Sequence, residues 1–223
     1  YPNLLKECLD APIVIFTKGN LEFNQFNNKK ISIVGTRKMT NYGKNFITEL
    51  IEGIAEFDTT IVSGLAYGCD IEAHSQSLKN KVQTWSVMGT NFERIYPASH
   101  KKIANEMLQK GGWITEQPSF KAVVPEAFLQ RNRIIAGLSD VTIVVESAFK
   151  GGSLVTAKFA NEYNREVFAL PGKTTDSLSV GCNYLIKSQQ AYLIENSKDI
   201  IEYFNFDIKK KPNQLDLFIE FSE

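Results

Sequence analysis

The chain has 223 residues, 25 Lys+Arg against 25 Asp+Glu, and an apolar share of 43%. That length and composition suit one large α/β domain or two small ones, with a sizeable core. Zero net charge argues against a protein that coats nucleic acid by bulk charge, so any anion site must be local.

Cys8, Cys69 and Cys182 are widely spaced, no CxxC occurs, and His74 and His100 are the only histidines. A disulfide scaffold and a structural zinc site are both disfavoured, which points to a reducing cytosol and no metal. No apolar run approaches ~20 residues, so neither a membrane span nor a signal peptide is visible. The chain opens on Tyr1, which suggests a trimmed or processed product.

Residues 1–30 are a lead-in, with the apolar run Ile13–Phe16 reading as a strand or short hairpin before the turn Lys18-Gly19-Asn20. Ile31–Val34 is a β-branched strand ended by Gly35. Asn41 is a good N-cap for a helix to residue 57, whose apolar stripe is Phe46, Leu50, Ile51 and Ile54. Strand Thr59–Val62, helix Cys69–Leu78 and strand Val82–Met88 follow. Ser99 can cap a helix to Lys110, and Trp113–Thr115 is a short strand. Glu116–Pro125 is a loop, and Glu126–Ser139 returns to helical spacing. Asp140–Val145 is the most strand-like run, and Gly151-Gly152-Ser153 opens a helix to Tyr163. Glu166–Leu170 and Tyr192–Ile194 read as strands, Asn183–Lys187 and Lys198–Phe204 as helices. This alternation predicts an α/β fold, a mostly parallel sheet with helices on both faces. Residues 206–223 are read as a polar linker, Asp207–Gln214, and an apolar tail, Leu215–Phe221, which suggests attachment to a further domain.

On such a sheet, ligands sit beyond the carboxyl ends of the strands. Gly35, Ser63-Gly64, Gly89, Glu146 and Pro171-Gly172 all fall there. Gly35-Thr36-Arg37 leads into a helix start, so backbone N–H groups and a guanidinium can cradle phosphate. The plain alternative is a turn whose arginine points into water. Lys29, Lys30, Arg37, Lys38 and Lys44 occur with no carboxylate among them, which a solvated face would also explain. Neither GxxxxGK[ST] nor GxGxxG is present, which disfavours a P-loop and a redox dinucleotide site.

In the second turn, Asp70 and His74 stand i,i+4 and can hydrogen-bond, either as an acid/base pair or, as the preferred reading, as a buried pair pinning the turn. Ser63 and Gly64 open that turn and let a ligand approach the backbone. Arg131-Asn132-Arg133 suits phosphate or a base edge, with Phe128 as a stacking platform; core packing for Phe128 and a structural ion pair for Arg133 are the alternatives. Gly151, Gly152, Ser153 and Thr156 form a second anion nest.

In order and spacing these stretches resemble the bacterial DNA-processing protein A (DprA/Smf) family over about residues 1–205. The matching pieces are Ile33–Arg37 with Tyr42-Gly43, Ile61–Ala66 with Gly68, Asp70, Ala73 and His74, Tyr96-Pro97, Arg131–Ser139, Gly152–Ala157, Pro171-Gly172 and Gly181–Asn183. The resemblance implies an extended Rossmann-like domain that binds single-stranded DNA, protects it and helps load RecA in natural transformation. It further implies a cytoplasmic, non-catalytic homodimer without a cofactor. The family's DNA contacts fall on Arg37, Phe128, Arg131, Asn132 and Arg133. Some members carry a cation shortly before the aromatic; here Lys121 is the nearest basic residue, while Pro125 and Glu126 stand closer. The other reading is an enzyme, a nucleotide-monophosphate phosphoribohydrolase of the lysine-decarboxylase-like (LOG) kind. Its PGGxGTxxE stretch is approached by Gly151–Lys158, which lacks the proline and the closing glutamate.

Overall fold

The computed structural model describes residues 1–25, 27–120 and 124–206. Lys121, the linker Asp207–Gln214 and the tail Leu215–Phe221 lie outside the described residues.

In chain order the elements are α1 (Asn3–Lys6), β1 (Phe16–Gly19), β2 (Lys29–Val34), α2 (Asn41–Ile54), β3 (Thr59–Ser63), α3 (Cys69–Lys79) and β4 (Gln83–Val87). A 3₁₀ turn, Ala98–His100, leads into α4 (Lys101–Met107); then come β5 (Gly112–Thr115), α5 (Glu126–Gln130), α6 (Asn132–Gly137) and β6 (Val141–Val144). The chain continues as α7 (Gly152–Glu162), β7 (Glu166–Ala169), α8 (Val180–Lys187), β8 (Tyr192–Leu193) and α9 (Ser197–Tyr203).

The strands form one sheet in the order β1-β5-β4-β3-β2-β6-β7-β8. Every pairing is parallel except β1 with β5. Among the described residues the lead-in makes no hairpin: Phe16 and Gly19 pair with Thr115 and Gly112, far along the chain. Side chains alternate across the pleat, so β2 turns Ile31 and Ile33 to one face and Val34 to the other. The first face is closed by Phe46, Ile47, Leu50, Ile51 and Ile54 of α2, with Ile200 and Ile201 of α9. The second is closed by Ile134 and Ile135 of α6, Ala157 and Ala160 of α7, and Leu185 of α8. Both faces are covered, which is why the central strands are largely apolar runs.

Three local readings change. Ser99 does not cap α4: it lies inside the 3₁₀ turn, and His100 is the residue before the helix. The residue capping α2 is Thr40, not Asn41: Thr40 keeps an extended backbone and its side chain accepts from the Gly43 N–H, while Asn41 is the first helical residue. The single helix read over Glu126–Ser139 is two, α5 and α6, which meet at Arg131. Among the described residues, no helix is long and apolar enough to cross a membrane.

Candidate nucleic-acid interface

From β2 the sheet grows one way through β3, β4 and β5, and the other way through β6, β7 and β8. The chain leaving β2 and the chain leaving β6 part in opposite directions, so a crevice opens between their carboxyl ends. It holds a cavity of about 540 Å³. One wall is the β2–α2 turn (Gly35, Thr36, Arg37), and another is the start of α7 (Gly151, Gly152, Ser153, Thr156). Phe128, Arg131 and Asn132 line it from α5 and α6, together with Asp70, Arg94 and Tyr96. The two glycine-rich turns singled out in the sequence thus face one cavity, because β2 and β6 are paired neighbours.

The two helix starts differ. At α2 the cradle is already filled: Glu146 accepts from Thr40 N–H at 2.8 Å and from the Thr40 hydroxyl at 2.6 Å. Glu146 is 3% exposed, and a side chain at Gly43 would collide with its carboxylate. The expectation of an anion held at the start of α2 is corrected accordingly; β6 delivers a resident carboxylate to that helix end. At α7 no side chain of the described residues caps the helix, and its first turn carries no acid. The space over Gly152 is open for 4 Å, whereas Gly151 must stay small because a Cβ would meet Ser147 Oγ at 2.2 Å. Ser153 donates to Ser147 at 2.8 Å. Helix-end N–H groups and the positive end of an 11-residue helix are therefore turned toward the cavity.

Arg37 is exposed and makes no ion pair among the described residues. The residue before it is fixed from two sides, since Thr36 N–H donates to Glu146 O at 2.7 Å and Cys69 N–H donates to Thr36 O at 3.2 Å. Gly35 permits that approach, because a Cβ there would stand 2.4 Å from Cys69 Sγ.

Other expected contacts serve the fold. Arg131 is 5% exposed and spans two strand tips, its Nη1 donating to Gly64 O at 2.6 Å and Val87 O at 2.5 Å. Arg133 turns away from the cavity, donating to Asp10 O at 2.7 Å and pairing with Glu116, so the structural alternative holds for it. Ser63 is fully buried and donates to Ile33 O at 2.6 Å, so it is closed to a ligand; Gly64 packs under the Arg131 guanidinium and borders only a small cleft. Lys29 and Lys30 begin β2, at the end remote from the crevice, so the five cations form no single patch.

Asp70 and His74 are not a pair. Asp70 accepts from Ala66 N–H at 3.3 Å, and His74 Nδ1 is 2.7 Å from Thr84 Oγ1 on β4. The helical spacing placed them on one face, but each finds its partner on a different neighbour. Burial raises the Asp70 pKa, against the opposing charge of Arg131. Burial also pushes His74 down to about 3, helped by the positive charge of Arg131 and by His100.

Sequence reasoning placed Glu146 at the carboxyl end of a strand and Tyr96 among the family motifs but gave neither a contact, and it did not single out Arg94, which also lines the cavity.

The sequence matches the family described as DNA recombination-mediator protein A over residues 1–205. DNA processing protein DprA of Streptococcus pneumoniae is 37% identical over 206 residues, 92% of this chain and 72% of that protein. DprA of Bacillus subtilis is 41% identical over 202 residues, 91% of this chain and 67% of that one. The X-ray structure of the S. pneumoniae protein superposes with a TM-score of 0.85 at 36% identity, covering 93% of this chain and 72% of that one. A structure of Helicobacter pylori DNA processing protein A, described for its single-stranded DNA binding mode, gives 0.83 at 30% identity, covering 92% and 93%. The molybdenum cofactor binding protein of Rippkaea orientalis, at 17% identity and a TM-score of 0.57, covering 81% of this chain and 98% of that one, shares the fold alone. The extended Rossmann-like sheet, the crevice at its switch point and these matches together mean that the chain belongs to the DNA-processing protein A (DprA/Smf) family.

Proposed function

We propose that this chain binds single-stranded DNA in the crevice, makes and breaks no bond in it, and protects it for transfer to a RecA recombinase during transformation. The observation carrying this reading is the meeting of the α7 N-terminus, which no side chain of the described residues caps, with the exposed Arg37 across one open cavity, with Phe128 on its wall. Helix-end N–H groups and a guanidinium suit the phosphates, and an aromatic face suits an unpaired base. The binding mode named for the H. pylori relative supports the same choice of ligand. Thr36, Asn132, Gly152, Ser153 and Thr156 are the further proposed contacts; Arg131 contributes by positive charge behind the wall. A homodimer in the cytoplasm is part of the proposal. Exposed Val180 and Tyr184 on α8 and Tyr192 and Leu193 on edge strand β8 offer an apolar surface for it.

The test is a gel-shift series with single- and double-stranded DNA at two salt concentrations. Arg37→Ala is expected to weaken oligo-dT binding by about 1–3 kcal/mol, and wild-type binding is expected to fall with salt. Equal affinity of Arg37→Ala and wild type ends this reading. Release of free base from AMP would favour the phosphoribohydrolase alternative.

A further inference from the structure

We infer that the loop after β4 supplies a second base-stacking surface, Tyr96, and a further phosphate contact, Arg94. The inference rests on the reading of the crevice as a single-strand site and extends it to residues outside the two glycine turns.

The loop begins at the carboxyl end of β4 and so reaches the same edge of the sheet as the cavity. It is held in place at its base. Asn91 donates to Ser119 O at 2.9 Å, Thr115 donates to Thr90 O at 2.8 Å, and Glu93 N–H donates to the Asn91 side chain at 3.1 Å. Gly89, at the end of the same strand, makes room for α5, since a Cβ there would stand 2.8 Å from the Phe128 ring. One strand end thus sets both aromatic residues.

The rings of Tyr96 and Phe128 lie 5.3 Å apart, centroid to centroid, and are inclined by 60°. They touch, so no base fits between them; they form one continuous aromatic wall. Tyr96 is 47% exposed, so the residue is open to a ligand despite its contact with Phe128. Both rings also border a smaller cleft with Arg37 and Tyr67, so Arg37 is within reach from either side of the wall. Arg94 lines the main cavity, is exposed, and has no ion-pair partner among the described residues. Two rings in contact, with Arg37 and Arg94 lining the same cavity, match adjacent unpaired bases and the phosphates that join them. A duplex hides its base faces in its own stack and cannot use such a wall.

The experiment compares oligo-dT with an oligonucleotide of equal length whose bases are replaced by abasic sites, using the full chain. Tyr96→Ala is expected to lower dT affinity by about 5- to 100-fold and to leave abasic affinity unchanged. Tyr96→Phe keeps the ring and is expected to bind as wild type. Arg94→Ala is expected to lower affinity for both oligonucleotides alike and to reduce the salt slope by about one. Tyr96→Trp gives an independent readout: its fluorescence is expected to respond to dT and not to the abasic strand. If Tyr96→Ala keeps the wild-type preference for dT over abasic DNA, or the tryptophan gives no response to dT, this inference fails while the site reading stands. If wild type binds neither oligonucleotide, both fail.

Discussion

Replacing Arg131 with alanine separates two roles that a sequence cannot tell apart. Its Nη1 braces the tips of β3 and β4 through Gly64 O and Val87 O, at 2.6 and 2.5 Å, and the residue is buried. Truncation leaves two buried carbonyls without that donor, at about 1–3 kcal/mol each. It also strips the positive charge that opposes the burial of Asp70. The expected loss is about 3–5 kcal/mol, the range for breaking a buried charged network. In a domain of this size that lowers the melting temperature by about 6–20 °C. Arg37→Ala, at an exposed side chain with no ion pair among the described residues, is expected to stay within about 0.5 kcal/mol of wild type. Urea and thermal unfolding followed by circular dichroism, beside oligo-dT binding, give the comparison. An Arg131→Ala protein that melts as wild type and loses only DNA affinity would refute the brace.

Glu146→Ala is expected to cost about 2–4 kcal/mol, because Thr40 N–H and its hydroxyl lose a charged acceptor at the start of α2. Glu146→Gln keeps an acceptor and should cost less; unfolding curves that coincide for all three proteins would contradict the cap. Gly68 has φ +75° and a Cβ there would meet Thr36 O at 2.2 Å. Gly68→Ala is therefore expected to cost about 1–3 kcal/mol and, by displacing Arg37, to weaken DNA binding too; unchanged melting and binding would contradict this. His74 is held near pKa 3, below its ordinary 6.5, so folding favours its neutral form. Its contribution is complete above pH 6.5 and falls as acid is added, by about 1.4 kcal/mol per pH unit down to about pH 3. Asp70, raised by burial, has the opposite slope just above its ordinary value, so the readout is the difference between wild type and His74→Gln in urea titrations at pH 7 and pH 5. A constant difference would show that His74 is not buried as a neutral ring.

The strand pattern was readable because β2, β3 and β6 are short β-branched runs, and burial on both faces demands that composition. The sheet's carboxyl edge was readable for a similar reason: Gly35, Gly64, Gly89 and Pro171-Gly172 punctuate strand ends. The antiparallel edge pairing of β1 with β5 was not readable, since the partners lie far apart in the chain and their register rests on contacts absent from local pattern. Helical spacing gave Asp70 and His74 a shared face but could not show that Ala66 and Thr84 were nearer partners.

Local chemistry alone, in the form of side-chain period, glycine turns and the ordered motifs, determined the sheet, the edge that carries the crevice and the family. Only the tertiary structure decided which charged groups remain available there. Arg131, Arg133 and Arg37 are the same residue type within similar motifs, yet two are consumed by backbone carbonyls and by Glu116, and the third stays exposed at the cavity. Likewise Glu146 fills one helix end, while no side chain of the described residues caps the other. Whether a guanidinium or a helix end is satisfied depends on neighbours brought from distant parts of the chain, and a linear sequence does not contain those distances.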